Sequence, residues 1–271
     1  MMAKINEIGA AAGLFSPQAI QSIWSNPTAA QTAVKILSWL IEDIEGLSEI
    51  SIATGPITGL RMEVELKRQK YFWMGTYEPW TQDAILKHWR PDMHLWDIGA
   101  FIGFHTLVMR KVAGPGRVLA IEPDPANRQR LRRNLTLNGF EDIRVLSSAI
   151  GAKRGMAELK LVPDGPSQTT ILDADNGSCE VVTMDDLLQS HAPPGLVKLD
   201  IEGGEAKALH GSQALLRKVR PIWLIETHGE SGQDALEQLR FANYQVTRID
   251  HWHNEAAELI GGGAEHHIAI P

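Results

Sequence analysis

Residues 95–104 read Leu-Trp-Asp-Ile-Gly-Ala-Phe-Ile-Gly-Phe, and residues 118–123 read Val-Leu-Ala-Ile-Glu-Pro. Each segment is an apolar run that ends at a carboxylate, Asp97 in the first and Glu122 in the second. The glycine loop and apolar helix between them predict two parallel strands joined by a crossover helix. Because ligands bind at the carboxyl ends of parallel strands, we expect both carboxylates at one ligand site.

Strand and helix patterns continue to alternate beyond this unit, which predicts an α/β fold with a doubly wound, mostly parallel sheet. Asp124-Pro125 is a typical helix start, since a capping side chain precedes a proline at the first helical position. That helix is expected to end near Asn138-Gly139. Further helices are predicted over residues 102–113, 205–218 and 233–243, and strands over 143–147, 156–162, 180–184, 195–199, 221–225, 244–249 and 266–270.

Two different segments precede this alternation. Residues 1–48 have helical caps and apolar residues at helical spacing, so we expect a helical N-terminal appendage. Its apolar stripe leaves two uses open, cover for the main domain or contact between copies in a homo-oligomer. Residues 60–66 alternate like a strand, and the aromatic-rich residues 71–80 predict a turn. The main domain is therefore expected over residues 49–271.

Composition argues against several classes of protein. The net charge of −7 argues against a nucleic-acid-binding protein, which normally has a basic surface. Cys179 is the single cysteine, so neither an intramolecular disulfide nor a cysteine-based zinc site can form. No apolar run approaches the ~20 residues that a membrane span requires, and the N-terminus is a poor secretory signal. We expect a soluble cytoplasmic protein.

The glycine loop indicates which ligand the strand ends bind. Phe101 replaces the middle glycine of the G-x-G-x-x-G sequence that dinucleotide pyrophosphates require. Asp97 would repel a pyrophosphate but attract a sulfonium ligand with an amino group, and Glu122 suits two ribose hydroxyls. The pattern therefore favours S-adenosylmethionine over NAD. The structural alternatives are a helix N-cap for Asp97 and a surface turn for Glu122.

Segments of the chain resemble the FkbM family of class I S-adenosylmethionine-dependent methyltransferases over residues 58–271. The most specific of them is Lys198-x-Asp200-x-Glu202-Gly203. The resemblance implies a Rossmann-like, seven-stranded sheet whose last strand is antiparallel. It also implies methyl transfer to a hydroxyl of a sugar, glycolipid or natural product, with S-adenosylhomocysteine as the other product. The matching segments are Gly75-Thr76-Tyr77-Glu78-Pro79, Asp97-Ile98-Gly99-Ala100-Phe101-Ile102-Gly103, Ala120-Ile121-Glu122-Pro123-Asp124-Pro125, Val197-Lys198-Leu199-Asp200-Ile201-Glu202-Gly203-Gly204-Glu205 and Ile222-Trp223-Leu224-Ile225-Glu226.

The cofactor contacts are predicted from the resemblance and from the topology. The family match places Tyr77 and Glu78 at the methionine end of the cofactor, and Ser148 follows the third strand, where an adenine ring would lie. The full set of predicted contacts is Tyr77, Glu78, Asp97, Gly99, Ala100, Phe101, Gly103, Phe104, Glu122, Pro123, Ser148, Ala149 and Asp200.

The end of the fourth strand is expected to perform the chemistry. In a regular strand, Lys198, Asp200 and Glu202 point to the same side. An attacking hydroxyl must lose its proton, so Asp200 is the leading general base or acceptor-orienting residue, and a neutral Lys198 could also accept the proton. Asp200 has two alternative roles, an ion pair with Lys198 or binding of the ligand's amino group.

Glu226 and His228 end the fifth strand beside the fourth, and His228 is the alternative base because imidazole titrates near neutral pH. Two carboxylates and a histidine also suit a divalent metal, although carboxylates at strand ends are common without one. Histidines 251, 253, 266 and 267 lack regular ligand spacing, and we expect them at the surface or in strand pairing. Two other functions stay open, a non-catalytic nucleotide-binding or scaffold module and an NAD-dependent oxidoreductase.

Overall fold

A computed structural model describes residues 46–161, 169–173, 177–250 and 264–271. The chain divides into two compact units, with the boundary between Pro79 and Trp80. The described residues 46–79 belong to the first unit, and residues 80–250 and 264–271 belong to the second. The predicted helical appendage lies almost wholly outside the described residues, and residues 49–79, which the sequence joined to the main domain, fall in the first unit.

The first unit contains a two-stranded antiparallel sheet followed by a helix. Strand β2 (Arg61–Val64) lies where the alternating pattern predicted a strand, and it pairs with β1 (Ser48–Ser51), which was not predicted. Helix α1 spans Leu66–Met74. The predicted aromatic turn is wrong in its first half, because residues 71–74 form the buried last turn of α1. Gly75, with a φ of 76°, ends the helix in the left-handed conformation.

The second unit contains the predicted α/β alternation. Its strands are β3 (His94–Ile98), β4 (Val118–Ile121), β5 (Arg144–Leu146), β6 (Ala149–Ile150), β7 (Gly155–Leu161), β8 (Thr169–Asp173), β9 (Cys179–Val182), β10 (Pro194–Leu199), β11 (Ile222–Thr227), β12 (Gln245–Arg248) and β13 (Glu265–Ile270). Its helices are α2 (Pro79–His88, which starts at the unit boundary), α3 (Phe104–Ala113), α4 (Pro125–Thr136), α5 (Met184–Leu187), α6 (Glu205–His210) and α7 (Gly229–Phe241).

The main sheet confirms the predicted fold class. Within the described residues, seven strands pair in the order β12-β13-β11-β10-β3-β4-β5. Strand β13 runs antiparallel to both of its neighbours, whereas β11, β10, β3, β4 and β5 are parallel. The last strand is therefore the antiparallel one, and the carboxyl ends of five parallel strands share one edge.

The segment between β5 and β10 is more regular than the sequence indicated. Strands β6, β9, β7 and β8 form a second sheet of four strands, and β8 was not predicted.

The predicted single helix over residues 205–218, which follows β10, is wrong. The segment contains α6 and then a π-helical turn, Leu215–Val219. The backbone amides of Ala214 and Leu215 at the start of this turn donate to the side-chain oxygens of Asp185.

Alternation along the central strands separates the apolar core from the polar site. Trp96 and Ile98 of β3 pack with Val197 of β10 and Trp223 of β11 in the main core, beneath α6 and α7. Successive side chains of a strand point to opposite faces, so Asp97 points away from this core. Each fully buried large apolar side chain stabilises the fold by roughly 1.5–3 kcal/mol, which keeps the strand ends in place. Within the described residues, no helix is both long and apolar enough to cross a membrane.

Candidate active site

The glycine loop after β3 folds onto the end of β4. The backbone amides of Gly99 and Ala100 both donate to the carbonyl of Ile121 at 3.0 Å, and the amide of Phe101 donates to Glu122 Oε2 at 2.8 Å. These three donors are therefore used within the protein. Pyrophosphate binding needs loop amides that are free to donate, so this loop geometry disfavours a pyrophosphate ligand.

Gly99 is required by the close approach of two strand ends. It has a φ of +78°, and a Cβ atom built there would lie 1.6 Å from the carbonyl oxygen of Asp200. Only glycine avoids this overlap while keeping the left-handed backbone. The loop after β3 therefore rests directly on the backbone that carries the predicted catalytic residue.

Glu122 is a buried carboxylate rather than part of a surface turn. It is 5% exposed, and its Oε1 accepts the backbone amide of Asp124 at 2.9 Å while Oε2 accepts that of Phe101. Burial raises the pKa of Glu122 to about 7, although the two backbone hydrogen bonds lower it in part. Asp124, not Glu122, caps helix α4. The carboxylate is thus held at the end of β4 in a poorly solvated place.

Asp97 does not act as a helix N-cap, because the N-cap of α3 is Gly103. Its side chain is fully buried, and Oδ2 accepts the hydroxyl of Thr106 at 2.5 Å. Oδ1 lies 3.8 Å from Lys198 Nζ and has no hydrogen-bond partner among residues 46–161, 169–173, 177–250 and 264–271. A buried carboxylate oxygen without a donor is costly, so a ligand donor at this place would stabilise it.

Lys198 joins the ends of β3 and β10. Its Nζ donates to Asp200 Oδ2 at 3.0 Å and lies 3.4 Å from the carbonyl oxygen of Gly99. The alternative that the sequence left open, an ion pair between Lys198 and Asp200, is therefore present. Two neighbouring carboxylates favour the charged form of Lys198. This contact disfavours Lys198 as a proton acceptor and makes it a counter-ion for Asp200.

The predicted alternation of Lys198, Asp200 and Glu202 is wrong at Glu202. Strand β10 ends at Leu199, and Glu202 has a φ of 54°, in a left-handed turn. The chain leaves the sheet before Glu202, so the side chain reaches towards His228 at the end of β11 instead. Its Oε2 lies 3.3 Å from His228 Nε2.

His228 is surrounded by carboxylates. Its Nδ1 lies 2.9 Å from Glu205 Oε1, and its Nε2 lies 3.3 Å from Glu202 and 3.5 Å from Glu226. Burial alone would lower the pKa of His228, but the hydrogen bonds to Glu205 and Glu226 outweigh it and raise the pKa to about 11. A protonated ring can donate but cannot accept a proton, so these contacts disfavour the predicted role of His228 as a base.

Glu226 lies between two imidazole rings. Its Oε1 faces His228, and its Oε2 lies 3.4 Å from Nε2 of His266, the residue opposite it on β13. Burial favours the neutral acid, yet His228 and His266 hold the pKa of Glu226 well below its usual range. One atom each of Asp200, Glu226 and His228 lies within 4.8 Å of the other two, a set that could bind a metal ion.

Three residues near these groups were missed or underrated by sequence reasoning. Thr106 donates a hydrogen bond to Asp97, and Glu205 is hydrogen-bonded to His228. His266 and His267 take part in strand pairing, one of the two predicted places, but His266 is also a buried neighbour of Glu226, which was not foreseen. Histidines 251 and 253 lie outside the described residues. Thr106 and Glu205 stand in helices, where polar residues are usually exposed. The signal that could have indicated Thr106 is its place in the first turn of α3, directly above the end of β3.

The other predicted cofactor residues lie at separate places. Phe104 begins α3, and Pro123 follows Glu122 and accepts a hydrogen bond from Arg128. Ser148 is buried between β5 and β6, whereas the Ala149 side chain packs in the small core of the second sheet.

Tyr77 and Glu78 belong to the first unit, where the ring of Tyr77 packs on Phe72 with centroids 4.4 Å apart. Glu78 is buried and has a φ of 41°. The assignment of Tyr77 and Glu78 to the methionine end of the cofactor stays a prediction.

The comparison with protein families covers the elements that build this site. The family model described as the methyltransferase FkbM domain matches residues 97–246, from Asp97 to the start of β12 and more than half of the chain. The chain belongs to the FkbM methyltransferase domain family. Of the groups described above, only His266 and the first-unit residues lie outside this FkbM segment.

Known proteins resemble the chain at low identity. It is 25% identical over 173 residues to the methyltransferase sdnD of Sordaria araneosa, covering 50% of this chain and 66% of that protein. It is 28% identical over 179 residues to the hexuronic acid methyltransferase AglP of Haloferax volcanii, and the match covers 62% of this chain and 72% of that protein. The crystal structure of the methyltransferase FkbM from Methylobacillus flagellatus KT matches with 21% identity and a TM-score of 0.46, covering 69% of this chain and 50% of that one.

Proposed function

We propose that this FkbM-family protein transfers a methyl group from S-adenosylmethionine to a hydroxyl oxygen of a small-molecule acceptor, most simply a sugar. The observation that carries the proposal is the pair of buried carboxylates Asp97 and Glu122, at the ends of adjacent parallel strands inside the FkbM segment. A ligand that offers donors at both ends fits this pair, and S-adenosylmethionine offers an ammonium group and two ribose hydroxyls.

The residues present fit this cofactor in three respects. Each oxygen of Glu122 accepts one backbone amide, and its remaining lone pairs are the proposed acceptors for the ribose hydroxyls. Asp97 Oδ1 is a buried acceptor that lacks a hydrogen-bond partner in the described part of the chain, which suits a cationic donor. The loop amides are used by Ile121 and Glu122, which disfavours a pyrophosphate and hence NAD.

The residues around Asp200 suit removal of a proton. The bound cofactor supplies an electrophilic methyl group on a sulfonium. As the new C–O bond forms and the S–C bond breaks, the acceptor oxygen must release its proton, and Asp200 is the proposed proton acceptor. Lys198 fixes the Asp200 carboxylate by a 3.0 Å hydrogen bond, while His228 is a donor that can orient an acceptor oxygen. Orientation and proton removal are the protein's share of the rate enhancement.

The acceptor class rests on the family and on the relatives. One relative is named a hexuronic acid methyltransferase, which supports a sugar acceptor here. Sugars bind through hydroxyl groups, and the carboxylates at the ends of β10 and β11 accept hydrogen bonds from hydroxyls.

A screen for S-adenosylhomocysteine release tests the proposal. The full chain is incubated with S-adenosylmethionine and panels of neutral sugars, uronic acids, glycolipid headgroups and hydroxylated natural products. We expect release with at least one sugar. In that reaction, Asp200→Asn should lower kcat at least a hundredfold and leave the cofactor affinity within about threefold. The control is Asp234→Asn, an exposed carboxylate on α7. Cofactor binding without release for any acceptor would favour the non-catalytic module.

A further inference from the structure

We infer that Asp200, Glu226 and His228 form a binding site for one divalent metal ion at the ends of β10 and β11. Each residue offers one ligand atom, and these atoms lie within 4.8 Å of one another. The set combines carboxylate oxygen with imidazole nitrogen, which suits borderline and hard cations such as Mn²⁺ or Zn²⁺.

The distance between His228 Nε2 and Glu226 Oε1 leaves room for an ion. These two atoms are 3.5 Å apart, and Glu202 Oε2 lies 3.3 Å from the same Nε2. Two ligands that each lie about 2.0–2.2 Å from one cation are separated by roughly 3.0–3.5 Å in octahedral or tetrahedral geometry. One ion can therefore contact both Nε2 and Oε1 in place of the direct contact between them.

Glu205 supplies the outer contact that metal-binding histidines require. Its side chain is fully buried, and Oε1 lies 2.9 Å from His228 Nδ1 and accepts the Gly203 amide at 2.9 Å. A carboxylate on Nδ1 fixes the ring so that Nε2 points at the ligand oxygens. Glu205 Oε2 is buried and has no hydrogen-bond partner within the described residues.

The local balance of charge also calls for a cation. Four carboxylates lie near the ends of β10 and β11, those of Asp200, Glu202, Glu205 and Glu226. The nearby ammonium of Lys198 pairs with Asp200. A divalent ion would offset part of this negative charge, because it carries two positive charges at one place.

An ion at this site would contact the acceptor. It would bind the acceptor hydroxyl beside Asp200 and lower the pKa of that hydroxyl, which assists transfer of its proton to the carboxylate. This role rests on the proposed function, whereas the metal site itself does not.

Manganese binding tests the site without an acceptor. The metal-free full chain is titrated with MnCl₂, and the free ion is followed by electron paramagnetic resonance. We expect one bound Mn²⁺ per chain. Glu226→Gln and His228→Gln should each weaken binding at least tenfold, and Glu205→Gln should weaken it about 10- to 100-fold through His228. Glu237→Gln, an exposed carboxylate on α7, is the matched control and should leave binding unchanged.

A second readout keeps the test independent of variants that fail to fold. In the wild-type protein, substoichiometric Mn²⁺ should broaden the ring NMR signals of His228 before those of His191, which lies outside the cluster. No binding, equal weakening by Glu237→Gln, or equal broadening of His191 would overturn the site. Calorimetry with S-adenosylmethionine on the same preparation separates the two proposals, because cofactor binding without Mn²⁺ binding rejects only the metal.

Discussion

Replacement of Glu122 by glutamine removes a charge that the fold holds in a poorly solvated place. Burial raises the pKa of Glu122 from 4.5 to about 7. Between these two pH values, the carboxyl group is protonated in the folded chain but ionised in the unfolded chain. Stability from this group is therefore greatest at low pH and falls as pH rises from 4.5 through 7. At about 1.36 kcal/mol per pKa unit, the full effect is about 3.4 kcal/mol, of which about 2.5 kcal/mol falls between pH 5 and pH 8.

The same carboxylate makes cofactor affinity depend on pH. Ribose hydroxyls donate to the ionised form, which is about 9% of the unliganded protein at pH 6 and about 91% at pH 8 if the pKa is 7. Affinity scales with the competent fraction, so wild-type S-adenosylmethionine should bind about tenfold more tightly at pH 8 than at pH 6. Glu122→Gln should bind weakly at both values, with little change between them.

Two measurements check this reasoning, urea unfolding from pH 5 to pH 8 and calorimetric titration at pH 6 and pH 8. The control is Glu141→Gln, an exposed carboxylate beside α4, which should reproduce both wild-type profiles. The free energy of unfolding of Glu122→Gln, relative to wild type, should rise by about 2.5 kcal/mol from pH 5 to pH 8. A constant difference, together with pH-independent wild-type binding, would refute the buried, proton-linked role of Glu122.

Two further substitutions test the loop and the strand that hold the site. Gly99→Ala should lower the free energy of unfolding by more than about 3 kcal/mol, measured by thermal unfolding. The added Cβ would lie 1.6 Å from the Asp200 carbonyl oxygen, and the backbone φ of Gly99 is left-handed. The control is Gly155→Ala, which has open space around it and should have little effect in the same assay. Thr106→Val should cost about 1–3 kcal/mol, because the buried Asp97 loses its donor, whereas Thr58→Val at an exposed turn should cost less than about 1 kcal/mol by urea unfolding. Equal losses for each variant and its control would contradict these explanations.

The main sheet could be predicted because its signals are local. Apolar runs of strand length, the Asp124-Pro125 start of α4 and the carboxylates at strand ends all lie within a few residues of the elements they define. Parallel topology then brings Asp97, Glu122 and Asp200 to one edge without any further information.

The parts that could not be predicted depend on contacts distant in sequence. Residues 71–74 read as an aromatic turn because their burial comes from packing, which the sequence pattern does not specify. The link from Glu205 to His228 spans 23 residues and arises only when α6 and the end of β11 meet. The contact with Glu205 raises the pKa of His228 and disfavours its predicted role as a base. The same contact fixes the ring for the metal-binding role that we infer.

The central claim, that the strand ends bind S-adenosylmethionine, is tested most directly by calorimetric titration of the full chain at pH 8, with the Glu122→Gln variant and NAD as comparisons. The account predicts one site per chain for S-adenosylmethionine, at least tenfold weaker in Glu122→Gln, and no heat of binding for NAD. Saturable NAD binding without binding of S-adenosylmethionine, or equal affinity in wild type and Glu122→Gln, would contradict it.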